Sequence, residues 1–189
     1  MTERGLRDVP NPSAVFLSER QTANNGSSVI CCMEGTRPIL LEIQALVSPS
    51  NYGLPQRTTN GIDIKRLQML LAVLEKRLGY RVGTMDVYVN AVGGFRIDET
   101  AADIGVVACI ASSMRSRVID PEAILIGEVG LGGELRSVAH IEARLAEAEK
   151  MGFKRAVIPR GNKKSLPTGT GMNIFAVSQA QEALDAVLQ

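Results

Sequence analysis

The stretch DETAADIGVVACIASS, residues 98–113, decides how the chain is read. A polar turn (Asp98, Glu99, Thr100) runs straight into a helix of small residues whose first positions are Ala101 and Ala102. Free backbone N–H groups at a helix start can hold an oxyanion, and many hydrolases place a nucleophile there. Here alanines stand at the helix start, so the stretch has the form of a catalytic entrance without a nucleophile.

Outward from it, strands and helices alternate. SSVICCM (27–33) and RPILLEIQALV (37–47) read as strands joined at EGTR (34–37), with Gly35 supplying backbone freedom. SPSNYGLPQRTTNG (48–61) reads as a long polar loop, a length that suggests an interface or functional segment. The clearest helix is 62–79, where Leu67, Leu70, Leu71, Leu74 and Leu78 fall on one face between the cap Asp63 and Gly79. Strands follow at 86–92, 123–131, 155–159 and 172–178, and helices at 141–152 and 179–188. Strands alternating with helices predict an α/β fold with a mixed sheet, at least part of it parallel. Residues 1–27, rich in Asn, Pro, Ser and charge, read as a linker or arm, and 28–189 as one domain.

Composition removes several classes of function. The chain has 189 residues, 45% hydrophobic and 22% charged, enough for one sizeable core. Aromatics are 4% with no Trp, so the core must be aliphatic. The formal charge is +1, so nucleic-acid binding would need local clustering of the 21 Lys and Arg residues. No apolar run spans a bilayer and MTERGLRDVP lacks the apolar core of a signal peptide, so a cytoplasmic location without membrane contact is expected. Cys31, Cys32 and Cys109 have neither the even count of a disulfide framework nor CxxC spacing. They read as small apolar residues in a reducing compartment, with Cys31 and Cys32 on opposite strand faces.

The chemistry narrows further. No GxxxxGK[ST] is present, so the chain carries no ATP cradle of that kind. GLGGE (130–134) leads into an extended piece and so has no helix N-terminus behind it for a phosphate. His140, the single histidine, starts a helix; a Ser-His-Asp triad would need it and a multi-histidine metal site is impossible. A Ser–Lys dyad, with burial lowering the lysine pKa, is the remaining nucleophilic route.

GEVGLGGELRSVAHIEARLAEAEKMGFKRAVIPRGN (127–162) resembles the C-terminal half of the Lon protease proteolytic domain, as does the helix-entry stretch. Together with EGTRPILLEIQALV (34–47) and VNAVGGFRIDETAAD (89–103), it is more specifically similar to the Lon-like C-terminal domain of the bacterial RadA (Sms) DNA-repair family, from about residue 6 to the end. The resemblance implies a Lon protease-like fold that is catalytically degenerate. In active Lon domains the nucleophilic serine sits in a Pro-Ser-Ala-Gly turn opening the helix; anchored on ACIASS, that serine falls on Ala102. The Lon lysine falls on Glu142. Alanine has no nucleophile and glutamate reverses the charge. Ser112 and Ser113 lie about three helical turns away, too far to substitute.

The same resemblance implies a hexameric ATPase that promotes branch migration of recombination intermediates. ATP, magnesium and zinc are expected only in upstream domains absent from this chain, with no cofactor or metal in the chain itself. Residues 1–27 then lead from an ATPase core. The domain itself is expected to form a homo-oligomeric ring, a hexamer, and to contact single- or double-stranded DNA without sequence preference. Arginines without an obvious internal role are the candidate DNA contacts: Arg37 at a turn, Arg57 in the polar loop, Arg66 on the flank of the leucine helix and Arg136 after the Gly-rich bend. Two alternatives stay open: a purely structural oligomerisation module, and a Lon-type Ser-Lys peptidase with displaced groups.

Overall fold

The computed structural model describes residues 11–21, 24–51, 53–166 and 169–189. A hairpin of β1 (Ser27–Glu34) and β2 (Arg37–Pro49) forms the spine, with Gly35 at φ +60° in its turn. β4 (Met85–Ala91) pairs antiparallel with β2, and β3 (Arg57–Asn60) pairs parallel with β4, giving the order β1-β2-β4-β3. A second, wholly parallel sheet has the order β5-β8-β9, with β5 Ala123–Leu125, β8 Arg155–Pro159 and β9 Asn173–Val177. A small hairpin pairs β6 (Glu128–Val129) with β7 (Leu135–Arg136). The helices are α1 (Pro12–Leu17), α2 (Ile64–Lys76), α3 (Asp103–Arg115), α4 (Ile141–Lys150) and α5 (Ala180–Val187). The α/β class with a mixed sheet is as expected. Among the described residues no helix is long and apolar enough to cross a membrane.

β1 is buried on both faces, which is why it reads as an unbroken apolar run. Ile30 and Cys32 join the core under α2, α3 and α5, whereas Val29 and Cys31 join a second core under α4 and β8. Adjacent residues of a strand point to opposite faces, so the two cysteines serve different cores. α3 lies in the first core and is buried from Asp103 to Ser112. Its small residues permit the close approach. A Cβ on Gly105 would collide with the Ile30 side chain, and the Gly105 carbonyl accepts the Ser28 hydroxyl at 3.1 Å.

Three sequence expectations need correction. The segment 48–61 is not all loop, because Arg57–Asn60 form β3. RTTN carries no hydrophobic alternation since β3 is a short edge strand, and its pairing to β4 is purely tertiary. The strand 123–131 breaks into β5 and β6 around Gly127, at φ 157°. Within the span read as an arm, Pro12–Leu17 forms α1, capped by the Asn11 side chain and docked on β2, where the buried Ser13 hydroxyl accepts the Leu40 amide at 3.1 Å. The rest of that span at 1–10 and 22–23 lies outside the described residues.

Cys31, Cys32 and Cys109 are free and buried. Burial pushes the Cys31 and Cys109 thiols up to about 12 and the Cys32 thiol up as well. The native chain is therefore expected to resist thiol reagents at pH 8 until denaturant is added. The folded state holds these protons more tightly than the unfolded chain, whose thiols titrate near 9.0. Their contribution to stability is thus complete below pH 9 and is lost as pH rises from 9 towards 12, at up to about 4 kcal/mol per pH unit for three thiols. Denaturant unfolding at pH 8, 9 and 10 checks this; a flat profile would contradict it.

Candidate functional site

The turn 98–103 is braced on both sides by arginines from other helices. α4 supplies Arg144, whose side chain is 2% exposed. Its guanidinium forks onto Glu99, with Nη1 to Oε1 at 2.9 Å and Nη2 to Oε2 at 2.5 Å. The same guanidinium donates to the Ala139 and Cys31 carbonyls, and Glu99 also accepts the Met33 amide at 2.8 Å. One fork therefore ties the turn to α4 and to β1.

α2 supplies Arg66 to the other side. Its Nε donates to Asp103 Oδ1 at 2.9 Å, and Nη2 donates to Oδ2 and to the Val129 carbonyl. Asp103, at the first position of α3, further accepts the Val129 amide at 3.0 Å. Hydrogen bonding to Asp103 holds the Arg66 guanidinium above its ordinary value, while burial pushes the Asp103 carboxyl up against the pull of Arg66. Thr100 donates to Glu128 at 2.8 Å, and the Gly127 amide donates to the Ala101 carbonyl at 2.8 Å, so the β6 edge closes the frame.

A cleft of about 310 Å³ opens over this turn, lined by residues of α2, the 96–100 segment and the start of α3. Arg66, Asp63, Arg96, Asp98, Glu99 and Asp103 give it its charge, and Ala102 lies on its floor, 2% exposed. Its lining contains no serine, cysteine, histidine or lysine. Glu142 is exposed and lines a different cavity, with His140 and Asn162. Ser112 and Ser113 are structural: the Ser112 hydroxyl accepts the Gly26 amide at 2.8 Å, and that of Ser113 accepts the Val47 amide at 3.0 Å. His140 precedes α4 in a left-handed conformation, φ 57°. No group of three or more His, Cys, Asp or Glu able to hold a metal occurs among the described residues.

The structure gives Arg57, Arg66 and Arg136 separate sets of partners. Arg37 is exposed and opens β2 opposite Glu34. Arg57 does have an internal role: its guanidinium donates to the Gln56, Met85 and Val82 carbonyls, latching β3 to the segment before β4. Arg66 has one too, in the Asp103 fork. Arg136 lies on β7 and forks onto Glu134 at the surface, at 3.0 and 2.7 Å. The expectation that Arg57 and Arg66 lack internal roles is therefore overturned, since their partners are distant in sequence.

Sequence reasoning missed Arg144. The signal was present: Arg144 follows Ile141 by three positions and precedes Leu145 and Ala148, so it lies beside the apolar face of α4. An arginine placed there needs a buried acceptor.

A family model described as ChlI, subunit ChlI of Mg-chelatase, matches residues 52–162, more than half of the chain. The chain belongs to that family. The match spans α2, the braced turn, α3 and α4. Among curated proteins, the chain is 46% identical to the DNA repair protein RadA of Halalkalibacterium halodurans, covering 100% of the chain and 41% of that protein. It is 48% identical to RadA of Bacillus subtilis and 46% identical to RadA of Escherichia coli, in each case over 97% of the chain and 40% of the relative. The chain thus corresponds to the C-terminal region of RadA, as the sequence resemblance implied, and spans about two-fifths of the length of these relatives.

Proposed function

We propose that this chain is the non-proteolytic, Lon-like C-terminal domain of a RadA-type DNA-repair protein. It acts as a ring scaffold, as a hexamer, and contributes sequence-independent contacts to DNA during branch migration of recombination intermediates. ATP, magnesium and zinc belong to other parts of the parent protein, a DNA-dependent ATPase. The observation that carries the non-proteolytic reading is the cleft over Ala102. Its lining offers no serine, cysteine or lysine; Arg66 is held by Asp103 and Glu99 by Arg144, and its one hydroxyl, Thr100, donates to Glu128. The Ser–Lys chemistry of an active Lon domain needs a serine beside a lysine, and the lining holds neither.

A scaffold without DNA contact is the second reading, and the internal engagement of Arg57 and Arg66 favours it. One set of measurements separates them. The chain is expected to cleave neither casein nor small peptides and to take no label from serine-directed reagents, and A102S/E142K should not restore turnover because the supporting groups differ as well. Light scattering should find a closed oligomer, and labelled DNA should bind with strong salt dependence. Inhibitor-sensitive hydrolysis by the unsubstituted chain would overturn the non-proteolytic reading. A monomer at every concentration would overturn the ring, and a ring without DNA binding would leave the bare scaffold.

A further inference from the structure

We propose that the turn Arg160–Ser165, together with Arg136, is the phosphate-contacting surface of this domain for nucleic acid; this rests on the DNA-contact reading above and assigns its site. The sequence RGNKKS places Arg160, Lys163 and Lys164 within five residues, and all three are exposed. None of the three side chains has a hydrogen bond or an ion pair among the described residues. Arg66, Arg144 and Arg155, by contrast, are each committed to a carboxylate. Three uncompensated cations in one turn repel each other, and a polyanion relieves that repulsion.

The turn is mounted rigidly. Asn162 is buried and clamps the Val138 backbone twice, accepting its amide at 3.0 Å and donating to its carbonyl at 2.9 Å. Gly161 lies flush against Ser137, where a Cβ would collide with the hydroxyl. Ser137 directly follows Arg136, so the turn packs beside a candidate arginine whose partner, Glu134, is also at the surface. A fixed set of cations keeps its register on a phosphate backbone without side-chain base readout. Against these four cations stand three carboxylates: Glu134, already forked onto Arg136; Glu128, opposite Arg136 across the β6–β7 ladder and accepting the Thr100 hydroxyl; and Glu142, which lines the adjoining cavity of about 370 Å³ with Asn162 and Ser165. Cations therefore outnumber acids on this surface although the chain as a whole is near neutral.

The test is a salt titration of a fluorescent duplex bound to the full 189-residue chain. R160A/K163A/K164A is compared with K65A/K76A/R81A, which removes the same charge from exposed, dispersed positions. The first variant is expected to bind at least about tenfold more weakly at low salt, and its logarithmic salt slope should fall by about 2.7, three phosphates at 0.9 each. The dispersed variant should lose less than about twofold, and both should melt like the unsubstituted chain. Equal losses in the two variants would overturn the assignment in favour of bulk charge. Unchanged binding by R160A/K163A/K164A would overturn it while leaving DNA contact intact. No binding by the unsubstituted chain at low salt would overturn the DNA-contact reading itself.

Discussion

Replacing Arg144 with alanine is expected to lower the unfolding free energy by about 3–5 kcal/mol, the cost of removing one partner from a buried ion pair. The side chain is 2% exposed and donates four hydrogen bonds: Nη1 and Nη2 to the two Glu99 oxygens, Nε to the Ala139 carbonyl and Nη1 to the Cys31 carbonyl. Alanine leaves the Glu99 carboxylate, 28% exposed in the cleft, without its guanidinium and with the Met33 amide as its backbone donor. It also leaves the carbonyl of the buried Cys31 without this bond. Lysine keeps the charge but cannot fork, so R144K should recover less than half of the loss. R144M/E99Q should cost less than R144A alone, because the uncompensated charge is gone. R136A is the surface control and should change stability by less than about 1 kcal/mol, as Arg136 and Glu134 are 60% and 36% exposed. Urea unfolding of the five proteins measures all of this. A loss below 1 kcal/mol for R144A would show that the fork is not what holds the turn.

Elements whose evidence is local were legible from the sequence, and those whose evidence is a partner elsewhere were not. α2 announced itself through its leucine spacing and Asp63 cap, and the side chain of Asp63 does accept the Arg66 amide at 2.8 Å. The β1–β2 hairpin followed from two apolar runs around Gly35, and the small-residue α3 from its own composition. β3 was illegible because its four residues alternate in exposure without being apolar. α1 was illegible because one turn and a half of helix has little propensity signal, and Ser13, Glu147 and Leu40 hold it across more than 20 residues of sequence. At the site, the positions of Ala102 and Glu142 came from the family resemblance. The structure adds that these two residues line different cavities and that two arginine forks stand where chemistry would need freedom. A fork is a tertiary fact: Arg66 and Asp103 are 37 residues apart and Arg144 and Glu99 are 45 apart, and neither spacing carries a local pattern.

Replacing Arg66 with alanine is expected to cost about 2–3 kcal/mol, below the Arg144 value because the Arg66 side chain is 24% exposed. Asp103 would keep only the Val129 amide as a partner while remaining buried at the start of α3. The pH dependence identifies this cause. Burial already pushes the Asp103 carboxyl up, and Arg66 opposes it. Without Arg66 the carboxyl rises further above its unfolded value near 3.9, so the folded variant holds that proton more tightly than the unfolded chain. The variant is then relatively most stable below pH 4 and loses stability as pH rises through the raised value. Its deficit against the unsubstituted chain should therefore be largest near neutrality and shrink on acidification. R66K completes the argument. It preserves the charge that a phosphate would feel but loses the fork that Asp103 needs. If Arg66 is structural, R66K should lose most of the stability that R66A loses while leaving the salt slope of DNA binding unchanged. If Arg66 instead contacts DNA, R66A should lower the slope by about one unit, R66K should restore it, and neither should show the pH-dependent deficit.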